Sequence, residues 1–417
     1  MLLVAAPRLN AQAGFAAPAA RAPGLPGVSA ARLARIDSLL DGAVADSSIA
    51  GAVALVLRDG KVMYERAVGY ADRASNRRMT SDAIFRIASQ TKALTSVAIL
   101  SLVEQGKLTL DDRVSRYIPS FANTTVLIAG TSAAVPAKRQ ITIRDLLTHS
   151  SGASYGTDAH VADLYRAKDL GPAAGWGWYF ADKTEPICTS MDRLGTLPFV
   201  QQPGEAFVYG YNTDILGCVV ERVSGMSLDE FFRTRITAPL KMTDTHFYLP
   251  DGKRARFTTV YMSDSLRHTV RAPDGARGQG HYADGPRVSF SGGAGLVSTA
   301  RDYARFLQMM LNGGALDGAR VLAPRTVEVM TSNQSAARYA TDGRGFGLGF
   351  ATTDRMGADG FKSVGAYGWG GAYGSNYTVD PKERLVIVFM MQQLPNSSDV
   401  SSRFMNLVYQ SLIPSGK

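Results

Sequence analysis

Cysteine is nearly missing from this chain: two residues, Cys188 and Cys218, among 417. Two are a poor basis for a disulfide framework, and neither has a metal-ligand spacing. Histidine is scarce too, with five scattered residues and no H-E-x-x-H, so a zinc site is not expected. No apolar run is long enough to cross a bilayer. Charged residues make up only 19% of the chain. The basic excess, 45 Lys and Arg against 36 Asp and Glu, gives a formal charge of +9. It is scattered, as in RASNRRM and GKRARF, without a dense run or a Cys/His finger. That pattern suits solubility or an acidic neighbourhood and argues against a nucleic-acid partner.

What is present is apolar mass. The 45% hydrophobic content supports a large core, and 417 residues suffice for two domains or for one with an insertion. Residues 1–28, rich in Ala, Pro and Gly, read as a flexible arm or as the remnant of a secretory leader with Ala11-Gln12-Ala13 as its cleavage site. The basic start of such a leader is missing, and the balance tips slightly to a periplasmic or secreted protein. Helical periodicity begins near Ser29. Two β-rich runs then flank Asp59-Gly60, a hairpin signal. KLTLDDRVSRYIP reads as a short turn-and-helix segment ending at Pro119. From 120 to 289 helical pieces stand among Gly-, Pro- and Asp-rich loops. Near 290 regular structure returns: a Gly-rich turn, a helix capped by Thr299 and Asp302, two strands around Asp380-Pro381 and a last helix. The expected organisation is an α/β domain from 29–119 and 290–417, its sheet built from both ends of the chain, with a mainly helical insertion at 120–289. No internal repeat is visible.

The most informative stretch is FRIASQTKALTSVAILSLVEQ, Phe85 to Gln105. It reads as one helix, with Ser89 at its N-terminal end and Gly106 as its stop. Between Lys92 and Glu104 it carries no charge, and a helix apolar on every side belongs inside a protein. Lys92 lies three residues after Ser89, so ammonium and hydroxyl share a face. Burial disfavours the charged form of a lysine, and a lysine able to lose its proton beside a serine is how a Ser–Lys nucleophile is activated. The three-residue pattern alone also arises by chance; its place at the head of an uncharged helix is what distinguishes it.

Three further stretches bear on chemistry. In FVYGYNTDILG, Tyr209 stands on a loop just before an apolar helix, where a phenolate near Lys92 is a candidate base for the Ser89 proton; taken alone, a half-buried aromatic is the commoner explanation. In YGWGGAYG, Trp369 precedes Gly370 and Gly371. Glycines there allow close backbone approach, and a backbone N–H from this turn with that of Ser89 could form an oxyanion hole; a bulged strand is the plainer alternative. Gly152-Ala153-Ser154-Tyr155-Gly156 matches the G-x-S-x-G elbow, but that motif needs a strand before it and a helix after it. Here a helix-like run precedes and a polar loop follows, so Ser154 reads as a decoy. His149 reads as a loop residue with structural hydrogen bonds.

In order, IFRIASQTKALTSVAI, DLLTHSSG, YGYNTDILG, SGGAGLVSTARDYARF and GWGGAYG resemble the serine β-lactamase/penicillin-binding superfamily, and most of all the family VIII carboxylesterases, which are similar to class C β-lactamases. The resemblance runs from about residue 30 to the C-terminus. It implies an α+β fold, an antiparallel sheet flanked by terminal helices plus an inserted mainly helical domain, with the site in the cleft. It implies Ser89 as acylated nucleophile, Lys92 and Tyr209 as its base system with the proton acceptor left open between them, the N–H groups of Ser89 and Ala372 as oxyanion hole, and no metal or organic cofactor. There are departures. Class C enzymes have Tyr-x-Asn where this chain has Tyr209-Gly210-Tyr211, and their K-T-G is Trp369-Gly370-Gly371. The cation that would pair a β-lactam carboxylate is absent, and an indole favours an uncharged group. The reading is therefore a serine carboxylesterase acting on small to medium esters. The alternatives are a β-lactamase or D,D-peptidase-type amide hydrolase, an acyltransferase sharing the acyl-enzyme, and a non-catalytic scaffold. The aromatic stretch Trp176-Gly177-Trp178-Tyr179 either lines an acyl pocket or packs the helical domain.

Overall fold

The sheet begins at the Asp59-Gly60 turn. In a computed structural model, which describes residues 26–171, 180–266, 268–275 and 278–414, both turn residues are left-handed, with φ of 51° and 73°. That geometry matches the twist of the strands it joins: β1 (Gly51–Arg58) and β2 (Lys61–Asp72). The other strands are β3 (Arg77–Arg78), β4 (Arg344–Phe346), β5 (Ala351–Thr353), β6 (Tyr367–Gly370), β7 (Asn376–Asp380) and β8 (Leu385–Met391). They form one sheet in the order β4-β5-β6-β7-β8-β1-β2-β3, antiparallel throughout. The two ends of the chain meet at its centre, where Ala52 pairs with Met391 and Arg58 with Leu385.

The helices that position the site are α1 (Ala30–Ala45), α2 (Thr91–Glu104), α3 (Ile187–Leu194), α4 (Asn212–Ser224), α5 (Leu228–Phe232), α6 (Ala300–Leu311) and α7 (Val400–Gln410). Side chains alternate across the central strands. Ala54, Val56, Ile387 and Phe389 meet α1 and α7 on one face; Val53, Leu55, Val386 and Val388 join the core of α2 and α6 on the other. Both faces are covered, which is why β8 (LVIVFMM) is apolar without interruption. The Thr299 hydroxyl caps α6 by accepting from the Asp302 N–H.

Five expectations need correction or fall outside. The stretch from Phe85 to Gln105 is not one helix. Phe85–Arg86 pair with Val297–Ser298 as short strands, Ala88–Gln90 form a 3-10 turn, and α2 starts only at Thr91. Ala88 has φ 43°, a conformation no helix interior contains, and the Ile87 N–H is held by the Leu296 carbonyl. Tertiary pairing overrides helix propensity here. The segment before Pro119 holds only a 3-10 turn, Val114–Arg116, and Pro119 opens a second one. The two cysteines, too few for a framework, are nevertheless joined: Cys188 on α3 and Cys218 on α4 form a disulfide with Cα atoms 5.0 Å apart. Packing of α3 on α4 brings together residues 30 apart in sequence. The supposed leader, apart from its last residues, and the Trp176–Tyr179 stretch lie outside the described residues.

Closing a loop of this size contributes about 3–4 kcal/mol in the chain-entropy picture. Cys188→Ser with Cys218→Ser is therefore expected to lower the melting temperature by several degrees, with little change in the turnover of any ester the protein accepts. An unchanged melting point would show the bridge to be energetically idle.

Asp302 supplies a pH-dependent stability term. Burial, followed by the neighbouring Asp244 charge, pushes its carboxyl from 3.8 up to about 6, even though it accepts from the Asp244 N–H and the Thr245 hydroxyl. In the unfolded chain it ionises near its ordinary value. Stability from this group is thus full below about pH 4 and is lost as pH rises to about 6, by about 3 kcal/mol. Asp302→Asn should gain melting temperature relative to the wild type across that window; parallel curves would refute the assignment.

Candidate active site

The turn at Ala88 presents Ser89 at the head of α2 rather than within it. Ser89 and Lys92 are both buried, at 8% and 2% exposure. Lys92 Nζ donates to Ser89 Oγ at 3.1 Å, to the Tyr155 hydroxyl at 3.0 Å and to the Gly293 carbonyl at 2.7 Å. Three partners match the three donor directions of a lysine head, so its position is over-determined.

The segment below Lys92 is fixed in turn. Asp214, in the first turn of α4 and fully buried, accepts from Ser291 Oγ at 2.5 Å and from the Gly293 N–H at 3.0 Å. Burial raises its carboxyl above the ordinary range, and the Lys92 charge opposes that. A Cβ on Gly293 would lie 2.4 Å from the Asp214 carboxylate, so only glycine fits. Thr95 Oγ1 donates to the Gly292 carbonyl at 2.7 Å, and the Leu296 N–H donates to Thr91 Oγ1 at 3.1 Å.

Tyr209 comes to the same place, with its ring as well as its hydroxyl engaged. Lys92 Nζ sits 4.7 Å from the ring centroid, a cation–π distance. The Tyr209 hydroxyl accepts from Trp369 Nε1 at 3.1 Å. His149 packs against the same ring, its centroid 4.8 Å away. Burial, reinforced by the Lys92 charge, holds His149 well below 6.5. It is therefore neutral, and its Nδ1 accepts from Asn212 Nδ2 at 3.0 Å, the structural role expected of it.

The end of β6, Trp369-Gly370, and the Gly371 that leads into the following turn close the other side. An added Cβ on Gly371 would lie 2.6 Å from the Ile87 carbonyl, which places this stretch directly against the chain leading into Ser89. Neither the Ser89 nor the Ala372 N–H donates to a backbone carbonyl among the described residues. Phe346 packs edge-on against Trp369 at 5.3 Å. A cavity of about 200 Å³ adjoins Trp369 and Gly370, lined also by Tyr339, Arg344 and Lys362. Gly371→Ala must push the stretch away from Ile87. If this stretch takes part in the reaction, a displacement of this order is expected to cost about 10²-fold in kcat, with the melting temperature kept; an unchanged kcat would detach it from the reaction.

Tyr155 was not singled out from the sequence. It stands beside the decoy serine in Gly152–Gly156, and the only signal was a tyrosine in a glycine-bracketed loop. Gly210 packs so closely on that loop that a Cβ would be 2.2 Å from the Ala153 carbonyl, and this contact docks Tyr155 beside Tyr209. Burial, followed by the nearby Tyr209, Asp214 and Tyr211, raises the Tyr155 phenol well above 10, so it stays protonated. Asp214 was also missed as an individual residue. Ser154 Oγ accepts from the Gly156 N–H at 3.1 Å and shapes a turn. Among the described residues no cluster of three His, Cys, Asp or Glu could hold a metal ion, and no helix is long and apolar enough to cross a membrane.

Several known proteins are similar to this chain along most of its length. An uncharacterized protein of Mycobacterium tuberculosis is 34% identical over 84% of this chain and 87% of its own length. Esterase EstB of Burkholderia gladioli is 32% identical over 84% of this chain and 88% of its own length. Among solved structures, EstCE1, a hydrolase with promiscuous acyltransferase activity, superposes with a TM-score of 0.76 at 26% identity, covering 91% of this chain and 98% of its own. The fold is that of the β-lactamases and penicillin-binding proteins, and the relatives mark a serine acyl-enzyme hydrolase or acyltransferase of that fold. With the Beta-lactamase family model matching residues 36–410, the chain belongs to the beta-lactamase family.

Proposed function

We propose that this protein is a serine carboxylesterase that hydrolyses small to medium esters through an acyl-enzyme on Ser89. The observation carrying the proposal is the hydrogen bond from Lys92 Nζ to Ser89 Oγ, beside a strand end whose Trp369 offers an indole where a carboxylate-pairing lysine would stand. Once Lys92 or Tyr209 has released a proton to solvent, that group takes the Ser89 proton as Oγ bonds to the ester carbonyl carbon. Negative charge on the carbonyl oxygen is met by the N–H groups of Ser89 and Ala372. The intermediate collapses, the alkoxide leaves with the transferred proton, and a water repeats the sequence to free the acid. Tyr155 and the Gly293 carbonyl hold Lys92 in place for both halves.

A second reading is acyl transfer, in which an alcohol takes the place of that water. It is favoured by the likeness to EstCE1, whose description includes acyltransferase activity. Hydrolysis of β-lactams is the weaker alternative, because Trp369 offers no charge to their carboxylate. The test gives the protein a short-chain p-nitrophenyl ester, alone and with an alcohol acceptor, beside a chromogenic cephalosporin, and maps the trapped adduct by mass spectrometry. Ester turnover with the adduct on Ser89 supports the proposal. Faster cephalosporin turnover would make it a lactamase, and an adduct elsewhere would overturn the assigned nucleophile.

A further inference from the structure

A second cavity lies apart from the reaction site. Its volume is about 360 Å³, within the range that takes a small organic ligand. Phe232, Met242, Phe247 and Leu296 wall it, and Arg233 and Lys241 stand at its rim. None of Ser89, Lys92, Tyr155, Tyr209 or Trp369 lines it. The wall is mainly aromatic and aliphatic, with Phe232 and Phe247 ring centroids 5.3 Å apart.

The backbone departs from regular helix around this space. Arg233–Thr237 form a π-helical turn, in which the Ala238 N–H donates to the Arg233 carbonyl five residues back, and the Met242 N–H reaches the Thr237 carbonyl in the same way. Turns of this kind recur at functional sites because they widen the helix and re-aim its side chains. Lys241 is left-handed, with φ 55°, which is uncommon outside glycine.

The charge of the lining is unbalanced. Arg233 and Lys241 are exposed cations. Asp229 is the one carboxylate of the lining; burial raises it above its ordinary value and Arg233 opposes the rise. His246 also borders the cavity, and burial followed by the Lys253 charge depresses it to about 4, so it adds no charge near neutrality.

We infer that this cavity binds a small amphipathic carboxylate, its chain against Phe232, Met242, Phe247 and Leu296 and its carboxylate between Arg233 and Lys241. The site is wired to the reaction centre. The Leu296 carbonyl accepts from the Ile87 N–H at 3.0 Å, and the Leu296 N–H donates to Thr91 Oγ1 at 3.1 Å. These two residues stand on either side of Ser89, so a ligand that presses on Leu296 presses on the backbone that presents the serine. An acid of this class is also what the proposed esterase releases, but the binding claim does not rest on that activity.

The experiment is a calorimetric titration of the full chain with sodium octanoate. It is run on the wild type, Arg233→Glu, Lys241→Glu and, for the reaction cleft, Lys92→Ala. Saturable binding is expected in the wild type and in Lys92→Ala. Each charge reversal should weaken it about tenfold or more, and added salt should weaken it in the wild type. Both reversals are at exposed positions, so melting curves without octanoate should match the wild type. Absent binding in the wild type, equal binding in both reversals, or loss in Lys92→Ala alone would overturn the inference. If an ester is turned over, saturating octanoate should change kcat at constant KM; a pure rise in KM would place octanoate in the reaction cleft and overturn it too. Failure of the esterase proposal would leave the calorimetry readable.

Discussion

Ser89→Ala is expected to abolish ester hydrolysis while leaving the melting temperature close to that of the wild type. The side chain is small, its hydroxyl accepts from Lys92 Nζ, and alanine fits the 3-10 turn. Ser154 is the useful control: its Oγ accepts a backbone N–H in a turn, so Ser154→Ala should keep most of the activity. The decisive measurement is p-nitrophenyl ester turnover of both variants alongside adduct mapping. Activity surviving in Ser89→Ala and lost in Ser154→Ala would reverse the two assignments.

Removal of the base system should have the next largest effect. Lys92→Ala and Tyr209→Phe are each expected to lower kcat by about 10²–10⁴-fold, the range general-base help provides. The two variants differ in collateral effects. Lys92→Ala strips a hydrogen bond from Ser89, Tyr155 and the Gly293 carbonyl at once, so some loss of stability accompanies it. Tyr209→Phe removes only the hydroxyl that meets the Trp369 indole and leaves the ring on Lys92 and His149. Tyr155→Phe, which deprives Lys92 of one partner of three, should cost less than either. Steady-state kcat and KM for all three decide the matter: a near-normal kcat in Lys92→Ala or Tyr209→Phe would remove that residue from the proton path.

Much of this site could be read from the chain because its signals are local. The Ser89–Lys92 spacing, the Asp59-Gly60 turn, the Thr299 cap and the Trp369-Gly370-Gly371 triplet each depend on residues within a few positions of one another. The rest was hidden because it depends on what meets across the fold. The positive φ of Ala88 has no sequence signature, since alanine is a good helix former; it is imposed by pairing with Leu296 and its neighbours. Tyr155 reaches Lys92 only because Gly210 lets two loops touch. Asp214 looked like an ordinary acidic residue at a helix start, and its burial under Ser291 and Gly293 became visible only in three dimensions. The Cys188–Cys218 bridge was obscured by the count itself, because a single pair does not signal its own closure.

The meeting of the two ends of the chain at the centre of the sheet has a consequence for biosynthesis. β1 is flanked by β2 on one side and by β8 on the other, and β8 runs to Met391. While the chain is being made, the apolar run Ala52–Leu57 therefore waits with one edge unpaired, an exposed template for pairing with other chains. Contacts of such long sequence separation also fold slowly. α2 shares its core with the inward side of β1 and β8, so the backbone that presents Ser89 cannot be fully supported until that last strand docks. Assembly of the candidate site is thereby deferred until β8 has been made, and a nascent chain stalled before β8 would carry its serine and lysine without the sheet that supports them.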